Sequence, residues 1–346
     1  MLGVFFALQS MPAGALDGAF SAAALEQRMT RTLRKTETMT RRLFYTDHHV
    51  LPLPPQHRFP MEKYRMLREK LAPEAIFVLE LAPLAEPDVI GLVHERAYID
   101  GFLAGTLGES AMRRIGFPWS GELVKRTLAS VGSTLAATRE ALAHGWGGTL
   151  AGGTHHAFAA EGSGFCVFND IAVATRWLQG AGSGGGTGSE TFGFQRVAIV
   201  DLDVHQGDGT ARIFQGDSSV FTLSVHCKAN FPLRKQRSSL DVELGPGIGD
   251  EEYLRALEGA LERVWEFRPV FVFYQSGVDG LASDQLGKLK MTIDGLKERD
   301  RMVMRGVKKV GAPLVITIGG GYSEPIALTA EAHANTFRVA ADILGV

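Results

Sequence analysis

Four short runs of β-branched and aromatic residues constrain this chain more than any other feature: Val197–Val200, Val220–Val225, Val270–Tyr274 and Leu314–Ile318. Runs of this length and composition read as strands buried on both faces, the pattern of a parallel sheet. Between them, Val124, Leu128, Val131, Leu135 and Leu142 fall at helical spacing, as do Leu254, Leu257, Leu261, Val264 and Trp265, with Pro269 closing the second pattern. Strand–helix alternation of this kind predicts an α/β fold, a single three-layer α/β/α domain with a central, mostly parallel sheet. Leu43–Tyr45 reads as the first strand, so residues 41–346 form the domain and residues 1–40 an N-terminal extension outside it. The Gly- and Ser-rich stretch Ala181 to Gly193 reads as a surface loop without a function of its own.

Composition removes several classes of protein. A chain that is 45% hydrophobic and 21% charged has the material for a large core. Its formal net charge of −2 supplies no field for nucleic acid or an anionic membrane, so neither is an expected partner. No apolar run approaches the roughly 18 residues of a membrane span, and the patch Val4 to Leu8 lacks the basic lead of a secretory signal. Two cysteines, Cys166 and Cys227, can neither build a disulfide framework nor close a Cys-type zinc site. A reducing compartment, the cytoplasm, is the expected location.

The chemistry sits where strands end. Val197–Val200 runs into Asp201-Leu-Asp203-Val-His205-Gln-Gly-Asp208, and Val270–Tyr274 into Gln-Ser-Gly-Val-Asp279, with Asp284 soon after. Leu314–Ile318 leads to Gly319-Gly-Gly-Tyr322, and Thr149–Leu150 to Gly152-Gly-Thr-His155-His156. Ligands of open parallel sheets bind beyond the carboxyl ends of the strands, so these four segments converge. Asp203 and His205, two apart on backbone read as still extended, would share a face and offer half of a tetrahedral metal site. Asp284 is the candidate third ligand, leaving one open position. Zinc suits two carboxylates and an imidazole, and ferrous iron is compatible with the same donors. Adjacent His155 and His156 suit a pair of proton carriers, with Asp201 and Asp208 placed to hold one imidazole each. Tyr322 could stabilise an oxyanion beside a metal. The glycines before it lack the Lys and Ser/Thr of a phosphate-binding loop.

Together, Gly153-Thr-His155-His156, Gly164-Phe165-Cys166-Val-Phe168-Asn169-Asp170, Asp201-Leu-Asp203-Val-His205-Gln-Gly-Asp208, Ser276-Gly-Val-Asp279 with Asp284, and Gly319-Gly-Gly-Tyr322 resemble the histone deacetylase superfamily of the arginase/deacetylase fold, and Tyr45-Thr-Asp-His-His and Asn230-Phe-Pro-Leu-Arg-Lys are most similar to its bacterial and class IV branch. The resemblance implies a zinc-dependent amidohydrolase that removes an acetyl or other acyl group from an acylated amine, acetyl-lysine of proteins first and acetylpolyamines or other small acylamides as alternatives. It implies Asp203, His205 and Asp284 as metal ligands, and Gly164, Phe165 and Phe231 as the walls of a narrow channel with Met291 at its edge. Potassium is implied near Asp201, Ser224 and the carbonyls of Asp203, His205 and Val225, and again at the carbonyls of Phe214, Asp217 and Val220. Cys166 is expected to be a buried packing thiol. Gln206 stands where many relatives carry a second His and is expected to point away from the metal. A binuclear ureohydrolase and a catalytically dead acetyl-ligand binder share the fold. The first wants an Asp-x-Asp where this chain reads Ser276-Gly-Val-Asp279, and the second does not need the complete set of catalytic residue types.

Overall fold

The computed structural model describes residues 40–180 and 194–346, so all but the last residue of the expected extension 1–40, and the expected loop 181–193, lie outside the described residues. Among the described residues eight strands form one sheet: β1 Arg41–Tyr45, β2 Phe77–Leu81, β3 Trp146–Thr149, β4 Val197–Asp201, β5 Val220–Cys227, β6 Leu240–Leu244, β7 Phe271–Gln275 and β8 Leu314–Thr317. Their order is β2-β1-β3-β8-β7-β4-β5-β6, and every pairing is parallel. Each of β3, β4, β7 and β8 is buried at every position, which requires cover on both faces of the sheet.

The helices are α1 Glu62–Leu71, α2 Pro87–Ile90, α3 Arg96–Leu103, α4 Glu109–Ile115, α5 Gly121–His144, α6 Asp170–Gln179, α7 Asp208–Ile213, α8 Asp250–Glu266, α9 Ile293–Val310 and α10 Ala327–Leu344. One layer is the packed series α8–α9–α10–α1, and another contains α5 against α6. Local chemistry sets their ends. Ser120 caps α5 by accepting the Leu123 N–H, Asn169 caps α6 through the Ala172 N–H, and Thr292 caps α9 through the Gly295 N–H.

The parallel sheet and both periodic helices stand as read from sequence. Two edge strands were not legible. β2 (Phe-Val-Leu-Glu-Leu) and β6 (Leu-Asp-Val-Glu-Leu) carry charge and are half-exposed, so neither shows the continuous apolar run of a central strand. One local expectation fails. β4 ends at Asp201, so Asp203 and His205 lie in the turn beyond it and not on extended backbone.

Candidate active site

The carboxyl ends of β3, β4, β7 and β8 meet at a cavity of about 450 Å³. His155, His156, Asp203, His205, Asp279 and Tyr322 all line it. The turn Gly152–His156 after β3 is held by the buried Asp170 at the start of α6. Its Oδ2 accepts the Gly153 N–H at 3.0 Å, and its Oδ1 accepts the Thr154 N–H at 2.7 Å and the Thr154 hydroxyl at 2.6 Å.

Each histidine has its own carboxylate. His155 Nδ1 lies 2.7 Å from Asp201 Oδ2, and His156 Nδ1 lies 2.6 Å from Asp208 Oδ1. Engaging Nδ1 fixes each ring and leaves Nε2 as its working atom. The two environments diverge. Burial pulls His155 down, but Asp201 and Asp203 outweigh it and hold the imidazole up at about 9. Burial, reinforced by the charge of His155, pushes His156 down to about 4 against Asp208. Neighbouring groups whose affinities for a proton are driven apart in this way suit acid and base roles.

The acid cluster is not the one expected. Ligand atoms of Asp203, His205 and Asp279 lie within 4.8 Å of one another. His205 Nδ1 is 3.0 Å from both Asp203 Oδ1 and Asp279 Oδ2. Asp284 is not in this cluster, and three backbone N–H groups already engage its carboxylate. Its Oδ1 accepts the N–H groups of Leu286 and Gly287 at 2.9 and 2.8 Å, and its Oδ2 that of Tyr322 at 2.6 Å. Asp279 therefore replaces Asp284 as third donor, and Asp284 organises the backbone of two loops. The strand-end argument itself contained the signal, since Asp279 is the first carboxylate after β7.

The charge pattern fits a cation among these three side chains. Burial and the nearby Asp203 push Asp279 up to about 7. His205, though burial pulls it down, is held up at about 10 by the same two acids. With protein charges alone the cluster therefore retains protons to offset its crowded carboxylates, a role a divalent ion fills better. Backbone approaches closely as well. Gly320 N–H donates to Asp203 Oδ2 at 2.7 Å, and a Cβ on Gly277 or Gly320 would collide with the Asp203 or Asp279 carboxylate.

Aromatic rings form the walls. The Phe231 ring, 43% exposed, meets His156 edge-on at 4.9 Å, and Phe165 lies 6.4 Å from the Tyr322 ring. Gly164 is left-handed, and a Cβ there would strike the His156 ring. Phe165 also has positive φ (66°), a conformation rare for a bulky residue and held here by its N–H bond to the Ile115 carbonyl. Met291 is not at the channel. It is 1% exposed, packed against Gly280 and Leu281, and Leu286 takes the lining position instead. Cys166 is buried, as expected, but lines the cavity. Gln206 points away, its amide bonded to Gln236 O and Asp241 Oδ1, each at 2.7 Å. Burial pushes the Tyr322 hydroxyl well above the ordinary tyrosine range, so it remains a donor. Lys63, Tyr64 and Arg126 also line the cavity, and nothing in their sequence context marked them.

Sheet, paired histidine–carboxylate contacts and acid cluster define a hydrolase of the arginase/deacetylase fold. Residues 56–338 match the histone deacetylase domain, and the chain belongs to the histone deacetylase family. It is 45% identical over 303 residues to an uncharacterised protein of Picosynechococcus sp., covering 86% of this chain and 98% of that one. It is 29% identical over 304 residues to a probable deacetylase of Archaeoglobus fulgidus, covering 81% and 79%. The crystal structure of the HDA15 HD domain superposes with a TM-score of 0.69 at 20% identity, covering 89% of this chain and 94% of that one, a likeness of fold. Among the described residues no helix is long and apolar enough to cross a membrane.

Proposed function

We propose that the protein hydrolyses the amide of an acylated aliphatic amine, acetyl-lysine of proteins first, using zinc held by Asp203, His205 and Asp279. The observation that carries this reading is the meeting, in one cavity, of two histidine–carboxylate pairs, a three-donor acid cluster and a tyrosine hydroxyl. The cation supplies Lewis acidity toward the amide carbonyl and the attacking water. Phe165 and Phe231 exclude solvent from the aliphatic stem of the amine. Tyr322 donates to the carbonyl oxygen as negative charge develops there. His156, neutral and oriented by Asp208, accepts a proton from water at Nε2, while His155, paired with Asp201, is the proton donor to the departing amine. Potassium among Asp201, Ser224 and the carbonyls of Asp203, His205 and Val225 belongs to the same proposal. Asp201 and Ser224 are register partners in β4 and β5, which supports that placement.

Purified protein reconstituted with zinc should release acetate from acetyl-lysine peptides. The Tyr322→Phe variant should lose about a hundredfold or more in kcat with KM little changed. Wild-type rates in that variant would remove Tyr322 from the chemistry, and a wild type that releases neither acetate nor a longer acyl group would remove the proposed activity.

A further inference from the structure

The cavity lining includes side chains to which the proposed hydrolysis assigns no role. Arg126 on α5 is one of them, together with Phe59, Lys63, Tyr64, Ser130 and Thr154. Arg126 is only 8% exposed. Its guanidinium lies 4.6 Å from the Tyr64 ring centroid and 5.4 Å from that of Phe59. Among the described residues it has no ion pair and no hydrogen bond. Its guanidinium nitrogens are not sealed from solvent, so a ligand group entering the cavity can reach them. Lys63, 1% exposed, flanks the same two rings. Its ammonium donates to Gly319 O at 3.0 Å and Gly321 O at 3.5 Å, so it contributes charge without a carboxylate partner. Asp203 and Asp279 would be neutralised by the divalent ion, which leaves these two cations of the cavity lining without an anionic partner. Arg126 alone has its donors free, and they form a planar fork that matches a carboxylate.

We infer that this part of the cavity lining is a carboxylate subsite, and that the preferred substrate is an amine bearing a short dicarboxylic acyl chain whose distal carboxylate pairs with Arg126. The inference rests on the proposed amide hydrolysis. Water adds to the acyl carbon, the C–N bond breaks, the amine leaves with the proton it receives, and the acyl group departs as the dicarboxylate. The aliphatic segment of the chain would run along Tyr64 and Phe59, and its charge would meet the guanidinium that otherwise has no partner.

Lysine peptides carrying glutaryl, valeryl or acetyl groups separate the possibilities, because glutaryl and valeryl match in chain length and differ in the terminal charge. For the zinc-loaded wild type, kcat/KM for glutaryl should exceed that for valeryl by about tenfold or more. Arg126→Gln should bring that ratio to one or below, and Arg126→Lys, which keeps the charge, should retain part of it. A wild-type ratio at or below one, or the same ratio in Arg126→Gln, overturns the subsite. Acetyl release without glutaryl preference sinks the subsite and leaves the proposed function standing. If no peptide turns over, the proposed function fails, and calorimetric titration with the glutaryl and valeryl peptides still decides the subsite. Tighter glutaryl binding that Arg126→Gln abolishes supports it, and equal binding of the two contradicts it.

Discussion

The carboxylate of Asp284 accepts the backbone N–H of Tyr322 at 2.6 Å. Its other oxygen accepts two further N–H groups, from Leu286 and Gly287, so one side chain ties the channel wall to the segment carrying the tyrosine hydroxyl. In Asp284→Asn one side of the amide becomes a donor and must face an N–H it previously accepted. The expected result is a loss of about tenfold or more in kcat in a protein that remains folded, with the loss arising from displaced Tyr322. Steady-state kinetics beside circular dichroism read this out, and undiminished kcat would show that the contact positions nothing.

Met291 gives a complementary expectation. Its side chain is 1% exposed and away from the channel, so truncation should affect folding and not recognition. Met291→Ala should lower the unfolding free energy by about 2–5 kcal/mol and leave KM for an acyl-lysine peptide unchanged. Urea titration and peptide kinetics test both halves, and a raised KM without lost stability would return Met291 to the channel.

His94 makes the fold sensitive to acid. Its Nε2 accepts the Asn169 N–H at 2.8 Å, which requires that nitrogen to be unprotonated, and the residue is 3% exposed. Burial pushes its pKa down to about 4, against a smaller opposing effect of the Phe158 and Ala159 backbone. In the unfolded chain a histidine titrates near 6.5, so between about pH 6.5 and pH 4 the unfolded state takes up a proton that the folded state refuses. Stability should therefore fall as pH drops through that window, by about 3 kcal/mol from this residue, with no further loss below it. Denaturation midpoints at pH 7 and pH 4 should differ less in His94→Gln than in the wild type, and equal differences would rule His94 out as a source of acid sensitivity.

Strands β4, β5, β7 and β8 were legible in the sequence because they are buried and show it as apolar runs, whereas the equally buried β3 is Trp-Gly-Gly-Thr and shows no such run. The edge strands β2 and β6 were not, because their exposed positions tolerate Glu and Asp. At the site, residues fixed by short local spacing were readable: His155 and His156 after a glycine turn, Asp203 and His205 in one loop, and the acids that orient the histidines. What failed was choice between two carboxylates on one loop. Asp279 and Asp284 are close in sequence, and only the path of the backbone shows that the first turns toward His205 while the second accepts three backbone N–H groups. Met291 was misplaced for the same reason, since chain direction after Asp284 decides whether Leu286 or Met291 faces the cavity. Arg126 sits in an ordinary amphipathic helix, and its isolation is a property of tertiary packing alone.

The most direct test is the metal affinity of Asp279→Asn, measured by competition with a zinc chelator. The wild type should hold close to one zinc per chain. Because loss of a residue that merely orients a ligand weakens binding by about 10- to 100-fold, loss of a ligand should weaken it by at least about a hundredfold. In the same assay Asp284→Asn should keep the wild-type stoichiometry. If Asp279→Asn instead binds zinc like the wild type while Asp284→Asn releases it, the acid cluster described for this site is not the one that holds the cation.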